Sequence, residues 1–189
     1  MINLRAPFYG LAGAGRLVRL DISGAKMMVG GIQGFWASLY WAATLVAPFY
    51  VLLALLRFNP EKHDGARYFI LEAEIYALAW LIFPILMERV CHSINRRGEF
   101  LEFIIAYNWL GCLYNIMYLL VALAQASKMI SWEAASSLSV GLMFAGLVWI
   151  GHLAHKSLRI PISAAVGIVI LDLFLGIMMS MLNAALLAR

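Results

Sequence analysis

The amino-acid sequence predicts an all-α fold: a polytopic integral membrane bundle of about five transmembrane helices, with the N-terminus in the cytoplasm and the C-terminus outside. Apolar residues make up 64% of the 189 residues and charged residues only 13%, a balance outside that of soluble domains. The charges gather between apolar stretches of about twenty residues, each long enough to cross roughly 30 Å of hydrocarbon. The net charge of +4 is modest, and the basic residues lie beside the predicted spans, so nucleic-acid binding is not expected.

Residues 1–33 are predicted to form a cytoplasmic or interfacial segment that precedes the spans. Within this segment, residues 15–28 are predicted to form a short amphipathic helix, with cations near one edge and apolar side chains near another. No Gly-Lys-Ser/Thr follows Gly10, Gly13 and Gly15, so these glycines indicate a flexible or tightly turning segment and not a phosphate site. The candidate contacts of anionic lipid headgroups are Arg16, Arg19, Lys26, Arg96 and Arg97.

The first apolar run, residues 34–56, is longer than the core of a signal peptide and ends in no small-residue cleavage site, so it is expected to be a retained anchor. The links between spans are too short for a soluble domain, and sequential helices are expected to be antiparallel neighbours. Tyrosines and tryptophans near the span ends are interpreted as interfacial belts. The other spans of this single transmembrane domain, residues 34–189, are predicted at 68–87, 100–124, 134–155 and 161–186.

The orientation follows from the distribution of Lys and Arg between the two sides of the predicted bundle. Nine of the 14 Lys and Arg residues fall on the side that carries the N-terminus. Because the cytoplasmic side of a membrane protein carries the excess of these residues, the N-terminus is predicted to lie inside. A bacterial inner membrane is the expected location.

Asp172 is the most unusual polar residue, because it lies near the middle of the fifth predicted span. An Asp at the centre of a transmembrane helix costs about 2.5–3.5 kcal/mol on insertion scales, so it is expected to face protein and to have a partner. Small residues follow it at four-residue intervals, at Gly176, Ser180 and Ala184. Such a stripe is typical of a face on which another helix approaches closely.

The third predicted span carries a seam of small and polar residues at steps of three and four. Asn115 of this seam lies at the depth of Asp172 and is its expected partner, and Thr44 of the first span is also near the midplane. The structural interpretation is that these groups bond helices together, at about 0.6–2 kcal/mol each. The residues of the seam are Asn108, Gly111, Asn115, Tyr118, Ala122 and Gln125.

The alternative interpretation of the intramembrane carboxylates is a proton relay. Glu72 and Glu74 are predicted toward the outside, Asp172 at the midplane and Glu102 toward the inside. Carboxylates at staggered depths are what a proton-coupled carrier or channel would need.

A group of potential metal ligands lies at the cytoplasmic ends of the second and fourth spans. Glu88, Cys91 and His92 belong to one end, and His152 and His155 to the other. They lack a recognised ligand spacing, so neither a metal ion nor another cofactor is expected.

No arrangement of residues indicates an enzyme. The sequence contains no Ser with a His and an acidic partner on one predicted helix, no paired midplane carboxylates and no His-Glu-x-x-His. A disulfide between Cys91 and Cys112 is not expected either, because the two residues lie at different predicted depths.

The run Gly34, Phe35, Trp36, Ala37, Ser38 at the start of the first span, together with five spans joined by short loops, resembles the Ypt-interacting-protein (Yip) domain family of small membrane proteins. The resemblance implies a role in membrane organisation or trafficking, and it implies no catalytic residues.

The function expected from the sequence is therefore non-enzymatic. The two small or polar faces, on the third and fifth spans, favour a protein that acts through helix association, as a homo-oligomer or as an accessory subunit of a membrane complex. Membrane lipids and other membrane subunits, or further copies of the chain, are the expected partners. The alternative is a small proton-coupled transporter or channel that uses Asp172.

Overall fold

The computed structural model describes residues 5–61 and 64–187, where it contains seven α-helices and no β-strand. Five of these helices are long and apolar enough to cross a membrane, which confirms the predicted fold class and the number of spans. Residues 1–4, at the start of the predicted N-terminal segment, and residues 188–189, at the end of the predicted transmembrane domain, lie outside the described residues. The helices are α1 (Ala6–Leu17), α2 (Ser23–Lys26), α3 (Gly31–Arg57), α4 (Gly65–Ser93), α5 (Phe100–Ala126), α6 (Trp132–Ser157) and α7 (Ile162–Leu187).

The helix bounds agree with the predicted spans to within a few residues, except at the end of α4. This helix continues to Ser93, six residues beyond the predicted end, so Cys91, which follows the predicted span, lies inside the helix. Hydropathy marks where the apolar stretch ends, whereas a helix continues until a residue stops it. Here the stop is Asn95, which has a φ of 56°, and the N–H of Arg96 donates to the carbonyl of Cys91 at 2.7 Å, as in a Schellman ending.

The predicted helix over residues 15–28 is wrong in its bounds. The structure has α1 and the four-residue α2 on either side of a turn in which Leu20 has a φ of 60°. Gly10, Gly13 and Gly15 lie within α1 and not in a flexible segment. Gly10 and Gly13 are buried positions at which α1 contacts its neighbours. The buried face of α1 consists of Ala6, Gly10, Gly13, Ala14 and Leu17.

The helix α5 lies at the centre of the bundle and has the largest buried share of the five spans. Its main neighbour is α3, and it also packs on α1, α4 and α6, whereas α7 packs on α4 and α6. The tightest pair, α3 and α5, is parallel and not sequential, which differs from the expected packing of sequential neighbours. The reason is a face of α3 with the small residues Ser38 and Ala42, both fully buried, where Ser38 bonds to Asn108 of α5.

The two ends of the bundle differ in packing density. We call the end at which α3, α5 and α7 begin the α1 end, because α1 packs there, and the opposite end the far end. Large side chains fill the α1 end, and Met87, Phe103 and Trp109 there are at most 2% exposed. Toward the far end the interior contains cavities between the helices. The cavities therefore lie beyond the packed α1 end, toward the far end of the bundle, and the candidate site is one of them.

Candidate functional site

Asp172 lies near the middle of α7 and accepts a hydrogen bond from Tyr107 of α5, with 2.5 Å between the phenol oxygen and Oδ1. The described residues form no hydrogen bond to its Oδ2. The expected partner, Asn115, instead donates from Nδ2 to the carbonyl of Gly111 in its own helix, at 2.8 Å. A phenol reaches further from its backbone than a carboxamide does, so the tyrosine bridges a gap between α5 and α7 that Asn115 does not cross.

The gap is a cavity of about 350 Å³ bounded by α5, α6 and α7. Asp172 is the one residue with a formal charge among those that line it, and no Lys, Arg or His contributes to the lining. The α5 wall includes Tyr107, Gly111, Tyr114 and Asn115, the α7 wall includes Asp172, Gly176 and Ser180, and the α6 wall includes Met143, Gly146 and Trp149. The site is thus a mainly apolar chamber with a single carboxyl group.

A second cavity, of about 240 Å³, lies on the other side of α5, between α3, α4 and α5. Tyr107, Gly111 and Asn115 line both cavities, so this part of α5 is the wall between them. The predicted seam of α5 therefore faces the interior of its own bundle from Asn108 to Asn115, whereas Tyr118 further along it is exposed. At its start, the buried Asn108 donates to Oγ of Ser38 at 3.0 Å, which links α5 to α3.

Tyr107 also closes the α1 side of the site. Its ring stacks on Phe83 of α4, with 4.1 Å between centroids and 18° between planes, and Phe103 lies 6.1 Å away. Phe83 and Phe103 are at most 3% exposed. One side chain therefore holds Asp172 with its hydroxyl and anchors to the packed α1 end with its ring. The sequence pattern does not indicate Tyr107, because tyrosines are expected to be belt residues and this one lies outside the seam.

The small residues of α7 lie on the open side of the cavity. Gly176 and Ser180 line it, and Ala184 is exposed. A Cβ atom built on Gly176 or on Gly111 would meet no atom within 4 Å. The described chain brings no helix over this stripe, so the close helix approach expected there does not occur within one copy of the protein.

The four carboxylates of the predicted relay do not come together. Glu72 accepts hydrogen bonds from Tyr50 of α3 and from Nδ2 of Asn183 in α7, the latter at 3.3 Å, and so links three helices at the far end. Asn183 is eleven residues from Asp172, which is about 16 Å along α7. Glu74 and Glu102 are exposed on the outside of the bundle and line neither cavity, as is Thr44.

The weak metal candidates are also dispersed. Cys91 is buried and His92 exposed, while His155 bonds through Nδ1 to the carbonyl of Ile160 at 2.6 Å. The buried Nε2 atom of His152 has no hydrogen-bond partner among the described residues. Among the described residues, no group of three or more His, Cys, Asp or Glu side chains is placed to hold a metal ion.

The candidate headgroup contacts lie at the α1 end. Arg16, Arg19 and Lys26 are exposed around α1 and α2, and Arg96 is half-buried in the turn after α4. Arg97 is exposed and pairs with Glu88 at 3.3 Å, an exposed ion pair of the kind that contributes less than about 1 kcal/mol.

No protein-family model, no curated protein and no solved structure matches this chain. The resemblance to the Yip domain family thus stays a prediction, and the interpretation of the site rests on its own geometry.

Proposed function

We propose that this integral membrane protein is a small, non-enzymatic, proton-coupled carrier that binds its solute in the cavity between α5, α6 and α7. The observation that carries the proposal is Asp172, a carboxyl group near the middle of a span that lines the cavity, with one oxygen held by Tyr107 and no hydrogen bond from the described residues to the other. Ionisable groups at such depth are costly and typically serve the movement of protons or ions.

The position of the site within the bundle supports a carrier. A carrier exposes its binding site to one side of the membrane at a time, and its site lies near the midplane. Tyr107 is the α5 residue nearest the α1 end that lines the cavity, and its ring stacks on Phe83, whereas along α7 the cavity extends past Gly176 and Ser180 toward the far end. This arrangement corresponds to a conformation closed toward the α1 end, which the positive-inside pattern predicts to be cytoplasmic.

The proposed coupling needs one group that takes up and releases a proton. Asp172 would be protonated when no solute is bound and ionised when the solute occupies the cavity, and the released proton would pass to water at the far end. Tyr107 and Tyr114 of α5 are the titratable side chains that share the cavity with it. Tyr107 would orient the carboxyl group in both states.

The experiment that tests the proposal is proton flux in vesicles. Purified protein is reconstituted into liposomes that contain a pH-sensitive dye, a pH gradient is imposed and candidate solutes are added. The wild-type chain is expected to release protons in response to a solute, and Asp172→Asn is expected to lose this response. Glu61→Gln, which removes an exposed charge in the link between α3 and α4, is the control and is expected to retain it. A response unchanged in Asp172→Asn would contradict the proposal.

A second candidate function is association with other membrane helices, as a homo-oligomer or as an accessory subunit. The exposed stripe of Gly176, Ser180 and Ala184 supports it, since small residues on a helix surface permit close helix approach. The part of the α5 seam from Asn108 to Asn115 does not support it, because these residues line cavities inside the chain's own bundle. Native mass spectrometry in mild detergent distinguishes the two functions: a stoichiometric partner or a symmetric oligomer would support association, whereas a lone monomer would contradict it.

A further inference from the structure

We infer that the ligand of the cavity between α5, α6 and α7 is a lipophilic organic cation, a molecule with one positive charge on an apolar, partly aromatic body. The inference rests on the proposed function, because it names the class of solute for the same site. Charge, lining chemistry and access each support it separately.

The charge of the site selects a cation. Asp172 is the one formally charged residue among the fifteen that line the cavity, and none of the others is basic. Its Oδ2 has no hydrogen-bond partner among the described residues, so a positive group in the cavity would gain a partner without displacing a protein contact. An anion would meet the carboxylate in a water-poor environment, where the repulsion between like charges is strong.

The lining favours an organic cation over a metal ion. Apolar side chains dominate the walls, among them Leu110, Leu147 and Ile150. The rings of Tyr107, Tyr114 and Trp149 share these walls, and aromatic faces attract cations, most effectively where water is excluded. A hard metal ion needs about six oxygen ligands, which these walls do not supply around Asp172. An organic cation, whose charge is carried on an apolar body, matches both the apolar and the aromatic side chains of the lining.

The cavity opens sideways, toward the layer that lipid would occupy. Met143, Leu173 and Ile177 line it and are also exposed at the surface of the bundle, with 37%, 36% and 51% of their surface accessible. A ligand dissolved in the hydrocarbon could therefore enter without crossing the packed α1 end. The volume of about 350 Å³ lies in the range of small-molecule pockets, and a helix with a diameter of about 10 Å would not fit.

The test compares two ions of the same shape and opposite charge. Tetraphenylphosphonium and tetraphenylborate both carry four phenyl rings, so a merely apolar groove would bind them alike. We expect the purified protein in a neutral detergent to bind tetraphenylphosphonium at least tenfold more tightly than tetraphenylborate in equilibrium dialysis. Equal binding of the two ions, or tighter binding of the borate, would overturn the inference.

Two kinds of variant locate the binding. Asp172→Asn removes the charge and is expected to weaken binding of the phosphonium at least tenfold. Gly176→Leu fills the cavity, since a Cβ atom there meets open space, and is expected to weaken binding similarly without a backbone clash. Gly167→Leu is its matched control: Gly167 is also an exposed glycine of α7 with open space around its Cβ position, but it does not line the cavity.

If Asp172→Asn fails to fold, the two glycine variants still test the site. Phosphonium binding that is equal in Gly176→Leu and Gly167→Leu would contradict this location. The outcomes also separate the inference from the function on which it rests. Proton flux that depends on Asp172 without phosphonium binding would overturn the inference alone, whereas binding that depends on Asp172 without flux would support the inference and contradict the carrier.

Discussion

Gly10 of α1 lies directly against the indole ring of Trp109 in α5, so closely that a Cβ atom on Gly10 would be 2.1 Å from Cε2 of the ring. Trp109 is 2% exposed, and α1 supplies part of its cover. The N-terminal helix is thus part of the packed α1 end and not a separate helix on a lipid surface.

This contact predicts opposite effects for two glycines of the same helix. Gly10→Ala is expected to destabilise the protein by about 1–3 kcal/mol, because the added methyl group overpacks against a rigid ring. Gly15→Ala, where a Cβ atom meets nothing within 4 Å, is expected to be neutral or to stabilise α1 by up to about 1 kcal/mol, since alanine favours the helix. Thermal unfolding in detergent measures both. Equal effects of the two substitutions would contradict the packing of α1 on Trp109.

Tyr107→Phe is expected to destabilise the bundle while leaving the ring stack in place. The substitution removes the hydroxyl that donates to Asp172 and retains the ring that stacks on Phe83. A polar group left without its partner costs about 1–3 kcal/mol. Tyr114→Phe is the control, because the described residues form no hydrogen bond with its hydroxyl. Chemical unfolding in mixed micelles checks the difference, and equal stabilities of the two variants would show that the Tyr107 bond contributes nothing.

Glu72→Ala is expected to loosen the last turns of α7. Its carboxylate accepts from Tyr50 and from Asn183, so its loss leaves two donors without partners, again at a cost of about 1–3 kcal/mol. Hydrogen–deuterium exchange should become faster around Asn183. Glu74→Ala, two residues away and exposed, should leave exchange in α7 unchanged. Equal exchange rates in α7 for the two variants would contradict the proposed role of Glu72 in stabilising the end of this helix.

The turn between α1 and α2 is expected to weaken in acid. The N–H of Ser23 donates to Oδ1 of Asp21 at 3.0 Å, and the hydrogen bonds from Ser23, with the nearby Arg16, lower the pKa of Asp21 below its ordinary value of 3.8. A lowered pKa means that the stabilisation is fully present above the ordinary pKa and is lost as the pH falls through the lowered one. An NMR titration of the Asp21 carboxyl carbon measures this pKa, and a value at or above 3.8 would contradict the turn geometry.

Some residues of the site could be predicted from the sequence, and others could not. Asp172 could be found from the sequence, because a carboxyl group amid apolar residues is costly wherever the helix lies in the bundle. The seam of α5 could also be found, but not the direction in which it faces. Its repeat indicates that helices pack there, and only the placement of α3, α6 and α7 makes it the wall between two cavities. Tyr107 gave no signal, since its role depends on the width of the gap that it crosses.

The sequence by itself determined the all-α class and the five spans, because burying a backbone in hydrocarbon depends on the solvent preference of each stretch, which is a local property. Only the tertiary structure decided which helices touch: the parallel pairing of α3 with α5, the docking of α1 on Trp109, and the bond between Tyr107 and Asp172. Those contacts depend on the rotation and separation of helices. Small residues set the separation of two helices by packing against distant parts of the chain. The pattern of residues along the sequence does not say which distant parts these are.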